Sequence, residues 1–209
     1  MQGNRASKGE QVKSVLIEGD GRFPNNGKLP LLLYRGAMTV AGAVSGKHPP
    51  RETAGGAAVP GERSGEALAS AVEGTFHQNG WGGSWRNGIY GVHHYHSTAH
   101  EALGVYAGSA RVKLGGESGP ELEIRAGDVV VIPAGVAHKR TASTSDFAVV
   151  GAYPDGQRPD MCYGSDEERP RAEANIRRVS VPRKDPVYGD EGPLLDEWKR
   201  RGPGGGVPA

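Results

Sequence analysis

The chain has 209 residues, enough for one domain with a sizeable core, and Lys plus Arg outnumber Asp plus Glu by only 25 to 24. So even a balance leaves no basic field to hold nucleic acid or an anionic membrane surface, and the expected partners are small molecules or protein. The single cysteine, Cys162, excludes an internal disulfide framework; a polar N-terminus and the lack of any run of about 18 apolar residues set the expectation of a soluble, cytoplasmic protein.

In chain order, residues 1–11 read as a flexible N-terminus and 12–200 as one domain. Val12 to Glu18 is a short β-rich run. Turn formers fill 19–27, and Leu29 to Tyr34 follows as a second strand, with Pro30 marking its start or an edge. Residues 36–65 are rich in Gly, Ala and Pro with little to bury, and read as a mobile insertion in which His48 is solvated.

From Ser64 to Asn79, Leu68, Ala71, Val72, Thr75 and Phe76 recur at helical spacing. Ser64 can cap the start and Gly80 stands just past the end, which predicts a helix carrying His77 on its surface. Trp81 and Trp85 then lead into a histidine-rich run, either as a lid over a pocket or as a rim packed on the core. Short segments follow at Ala102–Ala107, Arg111–Leu114, Glu121–Ile124, Asp128–Ile132, His138–Ala142 and Phe147–Tyr153, broken by Gly and Pro turns. That cadence predicts an all-β antiparallel sandwich or barrel, its core within 88–153. Residues 154–200 are polar and proline-rich, reading as an irregular tail that wraps the barrel, with one short helix around Leu194 to Lys199; 201–209 read as disordered.

The chemistry is concentrated in His93-His94-Tyr95-His96-Ser97-Thr98-Ala99-His100-Glu101, which holds four of the seven histidines. If the residues before His96 form a strand, His94 and His96 share one face while His93 and Tyr95 share the other. A tight connection through Ser97-Thr98-Ala99 then lets Glu101 return an oxygen to the same space. His100 replaces it if the turn shifts by one residue. A third imidazole comes from His138, which opens a strand after the Pro133-Ala134-Gly135 turn. Three imidazoles and a carboxylate suit a borderline divalent ion (Fe, Mn, Ni, Co or Zn), leaving open positions for water, dioxygen or a chelating substrate. The competing readings are a metal-free, hydrogen-bonded barrel, and a Glu101 that orients a histidine instead of binding the ion. Alternation places Tyr90 and Val92 with His94, Leu103 and Val105 with Glu101, and Arg140 with His138. Of these, Tyr90, Leu103 and Arg140 are the substrate-binding candidates. Arg140 either clamps a carboxylate or snorkels to the rim. Cys162 reads as inert.

Gly88, His94, His96, Glu101 and Gly108 resemble the first motif of the cupin family, and Gly127, Pro133, Gly135 and His138 resemble the second. The wider run from Asn79 to Glu101 is similar to the YjlB-type group of small cupins. Ala142 stands where the second motif often carries Asn. The resemblance is direct over 88–142. It implies a double-stranded β-helix, or cupin jelly-roll barrel, to which the periodicity above adds one helix in the N-terminal half and an irregular tail; it also implies the ligand set His94, His96, Glu101 and His138, and pairing as a homodimer. The expected function is a divalent-metal-binding cupin acting as a small-molecule metalloenzyme of oxidoreductase, dioxygenase-like type. A redox-neutral isomerase and a non-catalytic ligand-binding or structural barrel are the alternatives.

Overall fold

Apolar alternation builds this fold, because two of its layers share one sheet. The computed structural model describes residues 12–40, 60–154 and 156–199. Its strands are β1 (Val12–Ile17), β2 (Asn26–Tyr34), β3 (Trp81–Asn87), β4 (Glu101–Ala107), β5 (Ser109–Leu114), β6 (Glu121–Arg125), β7 (Val129–Ile132), β8 (His138–Ser143) and β9 (Ala148–Pro154). The helices are α1 (Pro60–Gln78), α2 (Arg169–Ile176) and α3 (Pro193–Lys199). Antiparallel pairing orders the strands as one sheet, β1-β2-β7-β4-β9-β3, facing a second, β6-β5-β8. The fold is the expected all-β, two-sheet architecture.

The inner face of the larger sheet contributes Leu31, Leu33, Leu103, Val105, Val130, Ile132 and Val149; these meet Ala110, Val112, Leu114, Leu122 and Ile124 of the smaller sheet in one core. The alternate residues of the same strands, including Leu32, Tyr34, Ala102, Val129, Val131, Val150 and Ala152, face outward into a second core. Helix α1 covers that face with Leu68, Ala69, Val72 and Phe76, and α3 with Leu194, Leu195 and Trp198. Being buried on both sides, the central strands read as continuous apolar runs such as Leu31-Leu32-Leu33 and Val129-Val130-Val131-Ile132. Gly104 on β4 admits the helix: a Cβ there would stand 2.4 Å from Val72 Cγ1.

Several boundaries differ from the sequence reading. Helix α1 starts at Pro60 and not at Ser64, so part of the expected insertion at 36–65 is helical. Its leading edge is anchored too, Gly36 N–H donating to Asp128 at 2.9 Å and Met38 N–H to the Gly127 carbonyl at 2.9 Å. The remainder, with His48, lies outside the described residues, as do both expected loose termini. Trp81–Asn87 is a strand in its own right, paired with β9, and not a lead-in. Besides α3, the tail holds one eight-residue helix that the sequence reading did not place. Helix α2 carries Pro170 in its first turn, where a missing N–H breaks no intrahelical bond. No described helix is long and apolar enough to cross a membrane.

Candidate metal centre

The histidine run is held by bridges and not by a regular strand. His94 and His138 exchange two backbone hydrogen bonds, at 3.2 and 2.9 Å, while Tyr95 does the same with Cys162 at 2.9 and 3.0 Å. The Pro133–Gly135 turn closes the third side, Gly135 N–H donating to the His96 carbonyl at 2.8 Å. This extended path preserves the expected alternation. His94 and His96 line the cavity, whereas His93 and Tyr95 turn away towards Phe23. β4 and β8 bring Glu101 and His138 to the same cavity.

All four side chains are buried. His96 Nε2 lies 3.3 Å from one Glu101 carboxylate oxygen and His138 Nε2 lies 3.4 Å from the other. The His94 ring centroid is 4.2 Å from that of His138 and 5.9 Å from that of His96. The opposite ring nitrogens are all committed. Nδ1 of His94 faces the Val92 carbonyl at 3.1 Å, that of His96 the Asp160 carbonyl at 2.5 Å, and that of His138 the Val136 carbonyl at 3.1 Å. A carbonyl only accepts, so each ring carries its proton on Nδ1, and in the neutral form Nε2 is a bare lone pair. Lone pairs then face a carboxylate, and Glu101 Oε2 accepts no hydrogen bond among the described residues. A proton, a cation or a water donating to both sides satisfies these groups.

The donor set fits a divalent cation. Bonds of about 2.1 Å at right angles put neighbouring donors about 3 Å apart, a few tenths of an ångström less than the 3.3 and 3.4 Å separations here. As they stand, no group of three or more His, Cys, Asp or Glu among the described residues is spaced to hold a metal ion, so these side chains would have to draw together around one. Electrostatics treats these groups differently. Burial, reinforced by His138 beside it, lowers His94 to about 4, so that ring is neutral at physiological pH. Burial pushes Glu101 up, but His96 and His138 outweigh it and hold the carboxyl well below its usual range. Burial pushes His96 down, yet the Glu101 carboxylate leaves it raised overall.

Of the substrate-binding candidates, Tyr90 and Leu103 line the cavity, Tyr90 meeting the His94 ring edge-on at 5.1 Å. Arg140 does not line it. Its guanidinium donates to the Ile89 carbonyl at 3.1 Å and to Ser143 Oγ at 2.9 Å, because residues around Tyr90 run beside β8 and offer a carbonyl first. His100 is not brought to the site either. Its ring sits 4.7 Å from Trp198 on the outer face, and its Nδ1 accepts the Ala134 N–H at 2.9 Å.

Two residues the sequence did not single out complete the cavity. Tyr153 donates to Glu101 Oε1 at 3.1 Å and accepts the Trp85 indole N–H at 2.9 Å. Met161 joins Tyr90 at the mouth. Alternation in β9 could have placed Tyr153 inward with Val149, but only the β4–β9 register, Ala102 opposite Ala152, sets it beside Glu101.

Comparisons with known proteins agree with this architecture. A model of the cupin domain matches residues 86–150. Over 188 residues the chain is 34% identical to the uncharacterized protein YjlB of Bacillus subtilis (strain 168), covering 90% of this chain and 97% of that one. Similar solved structures include acireductone dioxygenase from Bacillus anthracis with a cadmium ion in its active centre, at 15% identity and TM-score 0.30, covering 49% of this chain and 62% of that one. Another is the RmlC dTDP-6-deoxy-D-glucose-3,5-epimerase from Legionella pneumophila Philadelphia 1, at 15% identity and TM-score 0.33, covering 69% and 72%. A third is the 11S globulin of Wrightia tinctoria, at 21% identity and TM-score 0.32; the match covers 37% of this chain and 21% of the globulin.

Proposed function

The chain belongs to the YjlB-type cupins, and from that premise we propose that it is a small-molecule metalloenzyme holding one divalent transition metal on His94, His96, Glu101 and His138. The observation that carries this reading is the common tautomer of the three rings: each has Nδ1 on a backbone carbonyl and Nε2 turned into a cavity shared with a buried carboxylate. A bound ion there supplies Lewis acidity, or redox chemistry in the case of iron or manganese, to a chelating small molecule. The class favoured is oxidoreductase, dioxygenase-like, over a redox-neutral isomerase.

The protein's own part is orientation and exclusion of water. The Val92, Asp160 and Val136 carbonyls fix the imidazole planes. Tyr153, its phenol raised by burial and by Glu101, stays protonated and holds one carboxylate oxygen. Leu103 and Ile89 give the cavity apolar walls. A second reading, a metal-free ligand-binding barrel, draws on the raised His96: a proton between His96 and Glu101 fills the same gap.

Elemental analysis of protein purified without a histidine tag or added metal, beside His96→Ala, separates the two. One metal ion per chain, absent from the variant, is the expected result. If neither sample contains metal or takes up added divalent ions, the metal-free barrel stands. Turnover at an unchanged rate under strict anoxia would remove the oxygenase assignment and leave the isomerase.

A further inference from the structure

The cavity walls narrow the class of ligand. Its volume is about 290 Å³, at the small end of small-molecule sites, which run from roughly 300 to 1,000 Å³. The enclosed part has room for about one substituted ring. The donor atoms sit together at one end. The rest of the lining is mainly Trp85, Ile89, Tyr90, Leu103, Tyr153 and Met161, with the Arg86–Gly88 segment along one edge. Tyr90 is 56% exposed and Met161 41% exposed at the mouth, so apolar surface continues outward past the enclosed part.

The one cation in the cavity lining is already ion-paired. Arg86 is the one Lys or Arg among the described lining residues, and its side chain leaves on the opposite face of β3. There it forms a two-pronged pair with Glu73, at 2.7 Å on each prong, and a further contact to Glu66 at 2.6 Å. Arg140, the other guanidinium near the mouth, is held by the Ile89 carbonyl and Ser143. Among the described residues that line the cavity, no unpaired Lys or Arg is left to receive a second anionic group away from the metal end.

We propose that the ligand is a small molecule with one oxygen-chelating head and a flat apolar body, the body lying against Trp85 and Tyr90 and carrying no second anionic group. This rests on the metal reading for the head and on the wall residues alone for the body. Gly151 supports the role of Trp85. A Cβ at that position would stand 2.2 Å from the indole ring, so the glycine makes room for the indole to lie flat against β9.

Three hydroxamates with the same chelating head test the assignment by calorimetry on zinc-loaded protein. Benzohydroxamate is expected to bind at least tenfold more tightly than acetohydroxamate and than 4-carboxybenzohydroxamate. The preference should disappear in Trp85→Ala and shrink in Tyr90→Ser, whose exposed site carries no folding risk. Equal affinity for the benzo and aceto probes, tighter binding of the carboxylated probe, or no binding of any probe to stoichiometrically loaded protein overturns the proposal. If the protein takes up no zinc, the metal reading fails by itself. The body is then tested in metal-free protein with benzamide against acetamide, read by tryptophan fluorescence with Trp85→Phe as reference. Quenching by benzamide alone, lost in the variant, supports the apolar subsite, and no difference between the two amides rejects it.

Discussion

Tyr153 donates its only hydroxyl proton to Glu101 Oε1, because the Trp85 indole N–H already occupies the phenol oxygen as a donor. The direction of this chain is fixed, since an indole N–H cannot accept. Oε1 is therefore held by the phenol beside His96, while Oε2 faces His138 without a hydrogen-bond donor among the described residues. Tyr153→Phe removes that restraint without changing the ring volume. Metal affinity is expected to fall about 10- to 100-fold, with the fold retained. Competition against a chelator of known affinity measures it, and an unchanged affinity would show that Glu101 is positioned by the barrel alone.

His100 serves the fold. It is fully buried against Trp198, and burial depresses it to about 3. A histidine with a lowered folded-state value binds its proton more weakly when folded than when unfolded. Stability is thus full above the ordinary histidine value of about 6.5 and is lost progressively as the pH falls towards 3. The contribution lost by pH 5 is on the order of 2 kcal/mol. Thermal unfolding of the wild type between pH 7 and 4 should show this slope, and His100→Gln should flatten it at unchanged metal content. Loss of metal in His100→Gln would return His100 to the ligand set.

That His94, His96, Glu101 and His138 share one cavity was legible because histidine is rare at such density, and alternation sorts His94 and His96 from His93 and Tyr95 even where no ladder forms. Neighbouring positions resolve the same way. Glu101 faces inward from β4, so His100 must face outward, though its partner Trp198 comes from the far end of the chain. Tyr153 and Trp85 were not legible as partners, because their contact depends on a register among β3, β9 and β4 set by pairing distant in sequence. Of the two readings of Arg140, the structure agrees with the rim placement and not with a place in the cavity lining, for a local reason. Same-face placement with His138 holds for the backbone, but a long side chain takes the nearest free carbonyl, and the bridge run supplies Ile89.

Gly151 tests whether the Trp85 ring is held in place by space alone. Adding one methyl group in Gly151→Ala brings a carbon to 2.2 Å from the indole, so the ring must lift away and release Tyr153. Overpacking of this kind costs about 1–3 kcal/mol. Chemical denaturation should show that loss, and metal affinity should drop in the same direction as in Tyr153→Phe. Combining the two substitutions should give less than the sum of their effects on affinity, since both act on one hydrogen-bonded chain. Full additivity would separate the indole from the carboxylate.

Asp185 fastens the tail to the outer core. It is buried and accepts the Tyr34 hydroxyl at 2.7 Å together with the N–H groups of Val187, Tyr188 and Leu194 at 2.8, 3.0 and 3.1 Å. Burial raises its carboxyl above the usual range despite these donors. Asp185→Ala strands four donors in a dry interior, at about 1–3 kcal/mol for each group left unpaired. Tyr34→Phe removes one donor and leaves the other three bonds intact, so its loss should be much smaller. Denaturant midpoints of the two variants check the order. Hydrogen exchange should show faster opening of α3 in Asp185→Ala, because the Leu194 N–H in its first turn loses its acceptor; exchange rates in α3 equal to those of the wild type would mean that Trp198, through its indole bond to the Pro30 carbonyl at 2.9 Å, holds the helix without Asp185.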